Sequence, residues 1–154
     1  MSWCGRALFE NNALEEADKW STMATEGYQA TSGDEHIDTI NSKFWMARVR
    51  IARGMYEDSQ KWFQQSTDGY RAVCGERHAH TYLGSYWLAR SQFQRANYDA
   101  AMETFQKTMD GQLEVIGETS DSLNSMYWLG RCYFSKTVYT DAIKYWKREL
   151  EGVP

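Results

Sequence analysis

Four aromatic–arginine pairs recur along the chain: Trp3 with Arg6, Trp45 with Arg48, Trp87 with Arg90, and Trp128 with Arg131. On a helix, residues three apart share a face, so each arginine lies beside its tryptophan. The guanidinium presents a rigid fork of donors that suits carboxylate or phosphate. The indole adds flat apolar area and one donor. Phe44, Tyr86 and Tyr127 each directly precede one of these tryptophans, and Asn41 and Asn124 stand one turn earlier. Together these residues form a candidate ligand-binding stripe, suited to an extended ligand that carries acidic and apolar side chains. A scaffold account uses the same residues: the tryptophans pack between helices, and the arginines stack over them by cation–π contact.

Other chemistries find less support. His36, His78 and His80 invite a metal reading, with His78 and His80 as two ligands. No cysteine or carboxylate cluster completes a tetrahedral set at the expected spacing, so no metal site is expected. Helix entry and turn bonding account better for the histidines. Cys4 and Cys132 each lie next to an arginine pair, with no histidine on the same stripe to serve as base. No phosphate-binding loop of the Gly-rich lysine type is present. No catalytic residue and no cofactor is expected.

The elements that position the stripe are legible as a repeat. Gly33-Asp34-Glu35-His36, Gly75-Glu76-Arg77-His78 and Gly117-Glu118-Thr119-Ser120 start 42 residues apart. Behind them come Trp45-Met46-Ala47-Arg48, Trp87-Leu88-Ala89-Arg90 and Trp128-Leu129-Gly130-Arg131, the last interval being 41. A one-residue deletion near Asp121 accounts for that difference. Counting back 42 from Trp45 reaches Trp3, which gives four units: 1–32, 33–74, 75–116 and 117–154. A second block repeats in phase. Tyr56, Tyr98 and Tyr139 precede Ser59, Ala101 and Ala142 by three residues, and Phe63, Phe105 and Trp146 follow four later. Each unit therefore reads as two antiparallel helices, A and B. Small residues on both (Ala47 against Ser59, Ala89 against Ala101, Gly130 against Ala142) permit close approach. The tyrosine series reads as scaffold that closes the A–B turn.

Leu129-Gly130-x-x-Tyr133 and Ala142-x-x-x-Trp146 resemble the core pattern of the tetratricopeptide repeat. The 42-residue period, and the opening Gly-x-x-His-x-(Asp/His)-Thr of Gly33 to Thr39 and Gly75 to Thr81, resemble the kinesin-light-chain type. The usual opening-loop proline is missing, and the last unit lacks the histidine. The resemblance implies an all-α, right-handed superhelical solenoid of antiparallel helix pairs forming a single domain over 1–154. It also implies that A helices line the concave face, where such arrays grip peptides. Chains of this kind are frequent within larger signalling proteins, so a fragment of a longer array is expected. Ends without polar caps are candidates for self-association.

Composition narrows the function. Seventeen basic against 21 acidic residues give a net charge of −4, so bulk coating of nucleic acid is not expected. With 42% apolar and 25% charged residues the chain reads as globular. No apolar run is long enough to span a membrane. Three cysteines without a C-x-x-C pair suit reduced thiols in the cytoplasm. The charge is segregated. The A-helix windows 2–11, 41–53, 83–95 and 124–136 hold Arg6, Lys43, Arg48, Arg50, Arg53, Arg90, Arg95, Arg131 and Lys136 against one acid, Glu10. If the A helices are concave, an acidic protein carries a basic groove. The expected function is a protein-interaction module that binds an acidic and apolar peptide segment, or a free carboxylate. The alternatives are an architectural or oligomerising array, and a binder of nucleotide or single-stranded nucleic acid. An enzyme would need a closed pocket, which open repeats do not make.

Overall fold

In the computed structural model the described residues are 3–150, with side chains described for 10–141, 143, 144 and 147. They form six helices: α1 (Trp3–Ser32), α2 (Ile37–Ala52), α3 (Tyr56–Cys74), α4 (Ala79–Gln94), α5 (Tyr98–Ile116) and α6 (Ser120–Leu150). Each helix packs on the next in the chain. Beyond that, α2 touches α4 and α4 touches α6, whereas α3 and α5 do not meet. The array therefore curves with α2, α4 and α6 on the inside, the position expected for A helices.

Local chemistry sets the boundaries. Between units the chain turns at Gly33, Gly75 and Gly117, with φ of 87°, 95° and 74°. Only glycine adopts this region without strain. The next helix is then capped. His36 Nδ1 accepts from the Asp38 amide, and His78 Nδ1 accepts from the His80 amide, each at 3.1 Å. The histidines thus serve as N-caps, an acceptor role more often taken by Ser, Thr, Asp or Asn. In the last unit Thr119 and Ser122 cap each other instead: the Ser122 amide donates to Thr119 Oγ1, and the Thr119 amide donates to Ser122 Oγ. Thr39 and Thr81 each donate to the carbonyl of their turn glycine at 2.7 Å, and Ser122 does so at 3.2 Å. Ser122 is therefore the counterpart of Thr81, and the one-residue deletion lies between Gly117 and Ser122.

Two units, α2–α3 and α4–α5, are helix pairs as expected. The outer two differ: α1 and α6 each run unbroken through the expected A–B turn. Inside the pairs that turn places Gly54 at φ 80° and Ala96 at φ 58°. The residue in register in the last unit is Thr137, whose β-branch disfavours positive φ, and the helix continues. Asn12 occupies the register in the first unit, within an Ala/Leu/Glu-rich run that favours helix. Tyr139, expected to close a turn, is consequently exposed on α6, and Gly130 meets no partner among the described residues. Ala142 and Trp146 lie outside the described side chains. Ala96 carries the left-handed strain that Gly54 avoids. Ala96→Gly is expected to stabilise the fold by about 0.5–1 kcal/mol. Thermal unfolding should move up by about 1–4 °C, and a fall instead would contradict the turn geometry.

The core repeats with the chain. Phe63 stacks on Trp87 and Phe105 stacks on Trp128, with ring centroids 5.9 and 6.3 Å apart. Ala47, Ser59, Ala89 and Ala101 are fully buried, which realises the small-on-small approach of paired helices. Outside the core, Asp18 of α1 ties three helices together. It accepts from Arg53 Nη1 at 2.6 Å, Arg50 Nε at 3.3 Å and Thr22 Oγ1 at 3.1 Å, and Arg50 reaches on to Asp58 at 2.6 Å. Burial pushes the Asp18 carboxyl up, but the Arg53 bond, the Arg50 charge and the remaining bonds together hold it below the usual carboxylate value. A lowered native value means stability that is present above the unfolded pKa, near 3.8, and lost as pH falls below it. Asp18→Asn is expected to flatten the acid limb of a stability–pH curve below about pH 4. An unchanged limb would remove Asp18 from the acid response.

Candidate functional site

The stripe residues of α2, α4 and α6 meet as a ladder. Arg48 lies over Trp45 at 4.7 Å and over Trp87 of the next unit at 4.4 Å. Arg90 lies over Trp87 and over Trp128, both at 4.4 Å. Arg131 caps Trp128 at 4.4 Å and also faces Phe93 at 5.2 Å. Three-residue spacing within a helix and lateral contact between A helices thus give an alternating run: Trp45, Arg48, Trp87, Arg90, Trp128, Arg131. Its inner rings rest on the core through Phe63 and Phe105.

The ladder shares the two accounts open to the sequence between its members. Trp128 is buried at 8% exposure and belongs to the inter-unit core, and Trp87 is half-buried beside it. Trp45, at the open end, is 56% exposed. Phe44 is not a groove residue: it is 3% exposed and packs on Phe63 and Tyr70, because its position points between α2 and α3. Asn41 accepts a 2.6 Å bond from the Tyr70 hydroxyl, and it also borders a shallow depression beside Trp45. Tyr127 is exposed on α6. Trp3 and Arg6 lie outside the described side chains.

A cavity of about 350 Å³ opens on the concave side, lined by Arg48, Tyr86, Trp87, Arg90, Asp121 and Asn124 among others. Burial pushes the Tyr86 hydroxyl up, against the pull of the Arg90 charge. Burial also lowers the Arg48 guanidinium, and repulsion from Arg90 lowers it further. Two like charges therefore sit over one indole.

The charge pattern is narrower than the nine basic residues of the A windows imply. Lys43 pairs with Asp34, Arg50 with Asp18 and Asp58, Arg53 with Asp18, and Lys136 with Asp99. Arg95 donates to Gln60. Among the described residues, Arg48, Arg90 and Arg131 pair with no carboxylate, and Arg90 Nε is buried without a hydrogen-bond partner. Sequence windows cannot separate these groups, because a helix shows only part of its circumference to the groove. The three-residue spacing from Trp does separate them: among the basic residues of α2, α4 and α6 only Arg48, Arg90 and Arg131 satisfy it.

A second grouping was not expected. Cys74, at the end of α3, lies with His78 and His80, with one ligand atom from each within 4.8 Å of the others. The Gly75 turn folds the α3 end back beside the α4 start and so brings Cys74 to the two histidines.

Known proteins share this architecture. The tetratricopeptide-repeat family model matches residues 84–110. Two solved structures of kinesin-light-chain nearly identical TPR-like repeats from Podosopora anserina, one carrying a single substitution, superpose with TM-scores of 0.77 and 0.76. Each is 19% identical, over 90% of this chain and 66% of its own. No curated protein matches the chain. The fold is a TPR-like α-solenoid, similar to that of the kinesin-light-chain repeats it superposes on. Repeats of this class generally mediate protein–protein interaction and serve as non-catalytic scaffolds. Among the described residues no helix is long and apolar enough to cross a membrane.

Proposed function

We propose that the chain is a peptide-binding module, without enzymatic activity, working in the cytoplasm as part of a larger scaffold or signalling protein. Its concave face takes an extended segment of a partner protein. Arg48 and Arg90 bind the partner's acidic side chains or terminal carboxylate, Arg131 extends the charge, and Trp45, Tyr86, Trp87 and Tyr127 receive its apolar groups. Asn124 is placed to bond the peptide backbone at the cavity rim. The observation that carries this reading is the run of arginines along the inner helices that have no carboxylate partner among the described residues, beside a cavity with aromatic walls. Arg48 and Arg90 are half-buried and held over the indoles, so a ligand carboxylate meets partly desolvated, oriented donors. Nucleic acid suits the face less well, because Lys43, Arg50, Arg53 and Lys136 are committed to acids of this chain.

The test is a titration with a library of acidic C-terminal peptides, read by tryptophan emission, on wild type and on Arg48→Ala/Arg90→Ala. A saturable change lost in the double variant is expected, with affinity falling as salt rises. Equal binding of random polyanions, or retention in the double variant, would overturn the proposal. The architectural alternative draws on one observation: Phe134, Val138 and Tyr139 form an exposed apolar row on α6. Concentration-dependent sedimentation, abolished by Phe134→Glu, would favour it.

A further inference from the structure

Each inter-unit turn must end one helix, reverse the chain and cap the next. The turn at 33–39 does this with Ser32, His36 and Asp38, and the turn at 117–122 does it with Ile116, Thr119 and Asp121. The middle turn places Cys74, His78 and His80 in those three registers. The cap needs only His78, whose Nδ1 accepts from the His80 amide. Neither Cys74 nor His80 is required by the turn, since the flanking turns do without them.

These two extra residues and the cap converge. One ligand atom each from Cys74, His78 and His80 falls within 4.8 Å of the others, at a surface where both histidines are exposed and the thiol is half-buried. The two imidazoles are edge to face with centroids 5.0 Å apart. The His80 ring also lies against Tyr70 at 5.3 Å, and Tyr70 is anchored to Asn41 through its hydroxyl. His80 is thereby steered toward Cys74. Neighbouring charges are otherwise engaged: Arg71 with Glu76 and Asp68, and Arg77 with Glu114.

We propose that Cys74, His78 and His80 form a binding site for a divalent transition-metal ion of the zinc class. One thiolate and two imidazoles are a donor set that zinc favours, with water in the fourth position. Tetrahedral bonds of about 2.0–2.3 Å require ligand atoms roughly 3.5 Å apart, so exposed side chains need close by only about 1 Å. On binding, the Cys74 thiol releases its proton to solvent and its sulfur bonds the ion. Each histidine contributes one nitrogen lone pair. Neutral His78 has a single lone pair, so metal ligation replaces its cap bond to the His80 amide. The ion then joins α3 to α4 in place of the cap bond. This site is separate from the peptide groove and does not rest on that reading.

The probe is Co²⁺, titrated under reducing conditions into the full chain and followed by absorbance, with Zn²⁺ as competitor. One equivalent should give a thiolate-to-cobalt charge-transfer band with visible transitions of tetrahedral intensity, both displaced by Zn²⁺. Cys74→Ser, which places the residue of the first turn, should remove the band. His80→Ala should weaken Co²⁺ binding at least tenfold while leaving the cap acceptor in place. Zn²⁺ should raise the unfolding temperature of wild type and not of Cys74→Ser. The proposal is overturned if no thiolate band appears, if the band survives Cys74→Ser and so arises from Cys4 or Cys132, or if His80→Ala binds as wild type does. Circular dichroism establishes that each variant is folded, and the two substitutions act on different helices, so loss of one fold leaves the other test intact.

Discussion

Phe105→Ala is expected to destabilise the protein by about 3–5 kcal/mol. Phe105 is fully buried on α5, where it stacks on Trp128 of α6 and meets Tyr86 of α4 edge to face. Its removal takes a ring out of the layer that joins three helices, and the backbone cannot collapse into the gap because Ala89 and Ala101 already hold α4 and α5 at close range. Domains of this size have a total stability of about 5–15 kcal/mol, so the variant should unfold at much lower denaturant concentration. Phe134→Ala is the control: that ring is 72% exposed, and its loss should change stability by no more than about 0.5 kcal/mol. A Phe105→Ala cost below about 1 kcal/mol in chemical denaturation would contradict the packing of α4, α5 and α6.

The second large effect concerns binding. Arg48→Ala/Arg90→Ala is expected to weaken an acidic peptide by a hundredfold or more. A hydrogen bond to a charged group contributes about 1.5–3 kcal/mol, and two of them span two decades or more in affinity. Alanine also withdraws a guanidinium from between two indoles, so the ladder loses cation–π contacts of about 0.5–2 kcal/mol each. Those two losses must be separated. Arg90→Met keeps an unbranched apolar stem between Trp87 and Trp128 and removes only the charge and the donors. If the peptide is held by Arg90, the methionine variant should be as stable as wild type or nearly so, yet bind at least tenfold more weakly. Relief of repulsion between Arg48 and Arg90 favours its stability. A methionine variant that binds like wild type would assign Arg90 to packing alone.

The repeat, its period and its helix pairs were legible because they depend on local chemistry. Glycines at the unit boundaries, a His or Thr cap after them, and small residues at facing helix positions are each written in adjacent residues, and the structure uses them so. The same local logic misled at the ends. The register that carries Gly54 and Ala96 holds Asn12 and Thr137, and the predicted turns there are continuous helix. A residue's preference for positive φ accounts for the helix at Thr137 but not for the first unit, since Asn12 tolerates the left-handed region better than Ala96 does.

The candidate site divides along the same line. Residue type and three-residue spacing were enough to single out the Trp–Arg pairs. Whether a given ring faces core or groove depends on helix rotation and on what the next unit places beside it, which spacing alone does not encode. Tertiary structure therefore moved Phe44 and Trp128 into the core, left Trp45 at the surface, and committed Lys43, Arg50, Arg53 and Lys136 to carboxylates while Arg48, Arg90 and Arg131 stack on the indoles. It also brought Cys74 to His78 and His80 across a glycine turn. Sequence by itself determined a repeat of helix pairs with aromatic and arginine residues in phase. The fold decided which charges were neutralised, because an ion pair needs its partner within about 4 Å, and the acids that answer Arg53 and Lys136 lie 35 and 37 residues away in the chain.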